Sequence, residues 1–87
     1  MYLYLLQSKE DRSFYIGVTR NLRERLKQHN KGLSPATKHK RPWVLIYVEW
    51  YRSGKDAIQR EKQLKKHKSG WNKLRERISN SVLPGQN

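Results

Sequence analysis

The sequence predicts a single small α/β (α+β) domain, a three-stranded antiparallel sheet flanked by three helices. Three observations lead there. Three short segments, 2–7, 13–18 and 44–51, are rich in aromatic and aliphatic residues at strand-like spacing. Three others, 21–31, 55–66 and a stretch opening near Trp71, place apolar residues at helical spacing. Finally, 87 residues with a hydrophobic fraction of 34% allow one thin core that leans on three Trp, five Tyr and one Phe. The domain is expected to span residues 1–80, leaving 81–87 as a flexible tail.

In the first strand, alternation puts Tyr2, Tyr4 and Leu6 on one face. In the second it puts Ser13, Tyr15 and Gly17 together. A symmetric hairpin closed by the Lys9–Arg12 turn sets Tyr4 opposite Gly17 and Tyr15 opposite Leu6. A residue without a side chain then leaves room beside the first phenol, and the hairpin holds a pocket with two hydroxyls.

The first helix is capped by Asn21, carries Glu24 in capping-box position and stops at Gly32. Its inward stripe is Leu22 and Leu26, and Arg25 and His29, one turn apart, share it. Arg25 on that face either snorkels past the leucines, pairs with an internal carboxylate or meets an external anion. The segment 32–42 holds turn formers and basic side chains and reads as an exposed, mobile loop able to grip a phosphate backbone.

Residues 44–51 are apolar on both faces, which predicts the central strand of the sheet. The second helix, with Ser53 as a cap, turns Ala57, Ile58 and Leu64 inward with Glu61 between them. Glu61 is then either ion-paired internally or ligating a cation. After a break at Ser69-Gly70, the third helix runs from Trp71 through Leu74 and Ile78. Trp71 reads as a core plug or as a platform for base stacking. The tail from Ser81 should fray.

Twenty Lys and Arg against seven Asp and Glu give a formal charge of +13, which attracts polyanions, nucleic acid first. Residues 20–41 hold eight basic residues and Glu24 as the only acid. The absence of cysteine excludes a disulfide framework and a thiolate metal site. His39 and His67 lack ligand-like spacing with an acid, and no glycine-rich loop with a lysine cradles a nucleotide. No apolar run is long enough for a signal core or a membrane span, so a soluble, cytoplasmic protein without membrane contact is expected.

In order and spacing, Tyr2-Leu3-Tyr4, Tyr15-Ile16-Gly17, Arg25, His29 and the helical Arg60-Glu61-Lys62-Gln63-Leu64 resemble the GIY-YIG nuclease superfamily over residues 2–68. The nuclease domains of a bacterial excinuclease and of homing endonucleases are of this kind. The first motif departs from the family name at its glycine and keeps the tyrosine, Tyr4. The resemblance implies a DNA endonuclease, of a kind used in DNA repair, that acts on branched or distorted DNA. It implies Tyr4 as general base, Tyr15 orienting water or phosphate, Arg25 stabilising charge, and His29 holding a phenol, accepting its proton or touching the leaving phosphate. It also implies Glu61 as the ligand of one Mg²⁺ (or Mn²⁺) and a supporting asparagine, Asn80 or alternatively Asn72.

A phenol with a reference pKa of about 10 needs positive neighbours to serve as a base. Gly17, Arg23, Lys38, Lys40, Arg41 and Lys65 are the candidate substrate contacts. Without a separate DNA-binding domain, specificity would come from DNA shape, a protein partner or self-association. Two other readings are a non-catalytic nucleic-acid-binding module on this fold and a small RNA- or ribosome-associated basic protein.

Overall fold

The computed structural model describes residues 1–85. The elements run β1 (Tyr2–Ser8), β2 (Phe14–Thr19), α1 (Leu22–Asn30), a 3₁₀ turn (Lys38–Lys40), β3 (Trp43–Trp50), α2 (Gly54–Lys66) and α3 (Lys68–Arg77). All strands are antiparallel, and Tyr4 faces Gly17 and Tyr15 faces Leu6, the register the hairpin argument predicts.

The strand order is β2-β1-β3, so β3 is an edge strand and the expectation that it is central is corrected. The reason lies in burial. Leu3 to Ser8 of β1 are all buried, whereas Val48 and Trp50 of β3 are 40% and 62% exposed. Strict alternation does not run the length of β3. Leu5 pairs with Tyr47 but Leu6 pairs with Leu45, and the bulge leaves Ile46 as the extra residue. Leu45 consequently joins the Tyr4 face, while Ile46 stays with Tyr47 on the other.

Helices cover both faces. On one, Leu22 and Leu26 of α1 pack with Tyr4, Leu6, Tyr15, Trp43 and Leu45. On the other, Leu64 of α2 and Leu74 of α3 close over Leu3 and Leu5, joined by Ile78 and Val82. Trp71 belongs to this second core, with its ring edge-on to Phe14 at 5.2 Å.

Asn21 caps α1 by accepting from Glu24 N at 3.1 Å, and Gly32 leaves the helix with φ +79°, where a side chain would be strained. In α2 the buried stripe is Ala57 and Leu64, with Glu61 half-buried between them. Ile58, expected inward, sits about 100° round from Ala57 and is 41% exposed. The break between α2 and α3 falls at His67 instead of Ser69-Gly70. His67 is extended, yet its N–H still closes α2 on Gln63 O at 3.0 Å. Ser69 and Gly70 are tolerated in the first turn of α3 because those N–H groups have no intrahelical partner in any case.

The 32–42 loop, expected to be mobile, is tied down. Ser34 and Thr37 are buried, Trp43 Nε1 donates to Thr37 O at 2.7 Å, and Ser8 Oγ donates to Lys40 O at 2.6 Å. Asn30 clamps Trp43 from both sides of its backbone, at 2.7 and 3.1 Å. The stretch expected to fray from Ser81 makes defined contacts. Leu83 N donates to Gln7 Oε1 at 2.7 Å, and Arg12 Nε donates to Pro84 O at 2.6 Å. The end of that expected tail, residues 86 and 87, lies outside the described residues.

Candidate active site

The hairpin register brings the two phenols to one face of the sheet, with ring centroids 6.4 Å apart. Gly17 makes this arrangement possible. A Cβ built there would collide with the Tyr4 hydroxyl and would lie 2.5 Å from its Cζ. Sequence reasoning placed Gly17 as a substrate contact, and the structure places it against the Tyr4 ring.

Helix α1 then lays His29 across both phenols. Its ring centroid is 5.7 Å from that of Tyr4 and 4.9 Å from that of Tyr15, edge-on to the latter. Tyr4 Oη and His29 Nε2 are 2.8 Å apart in a fully buried contact. On the far side of the ring, His29 Nδ1 meets Thr37 Oγ1 at 2.8 Å, and Thr37 Oγ1 donates onward to Ser34 O at 3.4 Å.

Arg25 is half-buried on the same stripe, and its Nη1 donates to Gln28 Oε1 at 2.9 Å. No ion pair joins it to a carboxylate among the described residues. The guanidinium faces the phenols, and that neighbourhood raises its own pKa, Tyr4 contributing most.

The electrostatics differ from the sequence expectation in one respect. Burial raises the Tyr4 pKa above 10.0, opposed by Arg25 and assisted by the charges on Tyr15 and Glu61. A cationic neighbour is present, but desolvation wins. Burial and then Arg25 push His29 down to about 4, so the imidazole is neutral at pH 7 and available as an acceptor.

Glu61 approaches from α2 closely enough for its charge to be felt at Tyr4. Its Oε2 meets Lys65 Nζ at 3.3 Å, and the lysine is largely exposed. Lys65 and Tyr15 line a shallow pocket of about 310 Å³ with Phe14, Ile16, Leu64 and Trp71. No group of three or more His, Cys, Asp or Glu able to cage a metal occurs among the described residues.

The remaining sequence candidates are dispersed. Arg23 and Lys38 are exposed, Lys40 pairs with Asp11 at 3.3 Å, and Arg41 folds back, donating from Nε to Lys38 O at 2.7 Å and covering Gly32. Asn80 is exposed in the turn after α3 and Asn72 is exposed on it. Neither hydrogen-bonds to Tyr4, Tyr15, Arg25 or His29 among the described residues. Two residues went unnoticed in the sequence, Thr37 and Gln28. Gln28 stands three residues after Arg25, a helical neighbour spacing that would have found it. Thr37 lies in an aperiodic loop, and no pattern in the sequence points to its partner.

A model of the GIY-YIG catalytic domain matches residues 1–75. Three similar bacterial relatives carry the name UPF0213 protein. The one from Staphylococcus haemolyticus is 40% identical over 65 residues, covering 74% of this chain and 78% of the relative. The one from Clostridium perfringens is 39% identical over 66 residues, covering 75% and 70%. YazA of Bacillus subtilis is 38% identical over 66 residues, covering 75% and 66%. No solved structure matches.

Proposed function

The chain belongs to the GIY-YIG catalytic-domain family, and on that premise we propose that it is a metal-dependent endonuclease hydrolysing phosphodiester bonds in branched or otherwise distorted DNA. One observation carries the reading. Two phenols, a neutral buried imidazole and a guanidinium that has no carboxylate partner among the described residues converge on one face of the sheet, near the half-buried carboxylate of Glu61. A half-buried cation without an internal anion suits an external one, the scissile phosphate.

In this mechanism the base is the pair Tyr4 and His29. As an attacking water gives its proton to Tyr4 Oη, the Tyr4 proton passes to His29 Nε2 across the 2.8 Å contact, so no free phenolate is needed. Burial thus opposes a phenolate at Tyr4 and, by holding the His29 pKa down, also weakens the imidazole as the final proton acceptor. Arrival of the phosphate helps, because it offsets the field of Arg25, one of the two causes that depress His29. Arg25 stabilises charge developing on the phosphoryl oxygens, and Tyr15, half-exposed on the edge strand, orients water or phosphate.

The donor set fits a small hard cation. Mg²⁺ (or Mn²⁺) commonly takes one or two carboxylates and keeps its waters, and Glu61 supplies one carboxylate whose ion partner, Lys65, is an exposed and displaceable side chain. When bound, such an ion supplies positive charge to the phosphoryl group. Arg23, Lys38 and Lys65 extend the cationic surface for the DNA backbone. Specificity would rest on DNA shape, assisted by a protein partner or a second copy.

The test is a panel of duplex, flap, fork and junction DNAs incubated with wild type and Glu61→Gln in Mg²⁺, Mn²⁺ or EDTA. Cleavage of branched substrates by wild type is expected, lost in EDTA and in Glu61→Gln, with DNA binding in EDTA equal for both proteins. Binding of every substrate with cleavage of none would overturn the enzymatic reading in favour of a binding module.

A further inference from the structure

We propose that Thr37 is a positioning residue whose hydroxyl fixes the tautomer of His29 and thereby makes Tyr4 the donor in the bond between them. A neutral imidazole has one N–H and one acceptor nitrogen, and whichever nitrogen donates on one side dictates the role of the other. Here both nitrogens are engaged in buried contacts, Nδ1 with Thr37 and Nε2 with Tyr4, each at 2.8 Å.

The direction follows from Thr37's second contact. Its Oγ1 faces Ser34 O at 3.4 Å, and a carbonyl can only accept, so the hydroxyl proton points there. Its lone pair then receives a proton from His29 Nδ1. That leaves Nε2 as an acceptor, and the Tyr4 hydroxyl donates to it. The chain of donation runs Tyr4 to His29 to Thr37 to Ser34 O. A phenol proton so directed leaves the Tyr4 oxygen as an acceptor, the role in which it meets the Arg25 guanidinium and in which it would take a proton from water.

The threonine side chain does little else. The backbone of residue 37 already holds the loop, with Thr37 N donating to Ser34 O at 3.1 Å and Thr37 O accepting from Trp43 Nε1 at 2.7 Å. Thr37→Val keeps shape and backbone bonds and deletes the acceptor that meets Nδ1–H among the described residues. With Nδ1–H left unsatisfied in a buried site, the proton moves to Nε2 and the bond to Tyr4 reverses. The phenol must then accept from His29, and the relay has no place for its proton.

The tautomer itself is independent of DNA, and only its consequence for rate rests on the nuclease reading. The experiment is long-range ¹H–¹⁵N NMR of the ¹⁵N-histidine-labelled full chain at neutral pH, paired with single-turnover cleavage of a branched DNA. Wild type should show Nδ1 protonated and Nε2 free. Thr37→Val should show the opposite tautomer and cleave about tenfold to a hundredfold more slowly, the usual cost of losing a group that orients a functional histidine. Its DNA affinity should be unchanged, and Thr37→Ser should restore both tautomer and rate. Nε2–H in the wild type overturns the inference whatever any variant does, as does a Thr37→Val protein with the wild-type tautomer and rate. If wild type cuts no DNA, the tautomer still decides the inference, so the failure falls on the nuclease reading alone.

Discussion

The two faces of this sheet each place two tyrosines near an arginine, and they do opposite things with them. On the face under α2, Tyr47 and Tyr51 each donate to Glu49 at 2.6 Å, and Arg60 Nε reaches the same carboxylate at 3.0 Å, with Nη2 at 3.1 Å. Burial alone would raise the Glu49 pKa, but the bonds from Arg60, Tyr47 and Tyr51 outweigh it and hold it below 4.5. Tyr47 is pushed up to about 12 by its burial and by that donation. Every donor aimed at the carboxylate is satisfied by it. On the face under α1, Tyr4, Tyr15 and Arg25 meet around a neutral imidazole, and among the described residues no acid forms an ion pair with Arg25 to close the set. The same residue types make a finished internal network where a carboxylate is present and an unfinished one where it is absent. The unfinished one is the site.

Exchanging the expected penalties tests this contrast. The largest effect belongs to Arg25→Gln, which should lower the single-turnover cleavage rate by about 10² to 10³, the usual worth of a donor aimed at developing charge. Its urea midpoint should stay near that of wild type, because Arg25 has no ion-pair partner among the described residues to abandon. A large stability loss with normal cleavage would reverse the roles of the two faces. Glu49→Ala should behave the other way. It strands a guanidinium and two phenol hydroxyls, and for a pair that keeps some water contact the cost should be about 3 kcal/mol in urea unfolding. Below the unfolding transition its cleavage rate should match wild type. If Glu49→Ala abolishes cleavage while remaining folded, the closed network belongs to the site as well.

The unequal legibility of the two faces in the sequence has a physical basis. Period-two and period-3.6 patterns are local, so they revealed the hairpin, the Tyr4 and Gly17 pairing, the cap on α1 and the placing of Arg25 and His29 on one stripe. Strand order is a competition between non-local pairings. The apolar faces of β3 suggested a central strand, but β1 is the strand whose two faces are both covered. The bulge at Ile46 shifted Leu45 across the sheet, a one-residue event that alternation cannot anticipate. Within the Glu49 network, the bonds from Tyr47 and Tyr51 follow strand alternation, and the link that gave no local signal is Arg60, eleven residues on and in another element. Thr37 was invisible because its partner is fixed by how a loop folds back, and the loop's turn formers suggested mobility where buried bonds to Trp43 and Ser8 pin it.

The smallest effect, and the sharpest separation of the faces, is their response to acid. His29 has a folded pKa of about 4 against an ordinary 6.5. Between these values the unfolded chain binds a proton that the folded chain refuses, so the stability present above pH 6.5 is lost as pH falls toward 4. The loss should reach about 2 kcal/mol by pH 5 and about 3 kcal/mol by pH 4. Glu49 is depressed instead from 4.5, so its contribution is intact at pH 5 and is lost only as pH falls further. Urea unfolding at pH 7.5 and pH 5 thus isolates the α1 face. Wild type should lose stability over that interval, and His29→Gln, whatever its absolute stability, should lose little. If the two proteins fall in parallel, the acid response comes from elsewhere, and His29 is not the neutral buried acceptor that the Tyr4 relay requires.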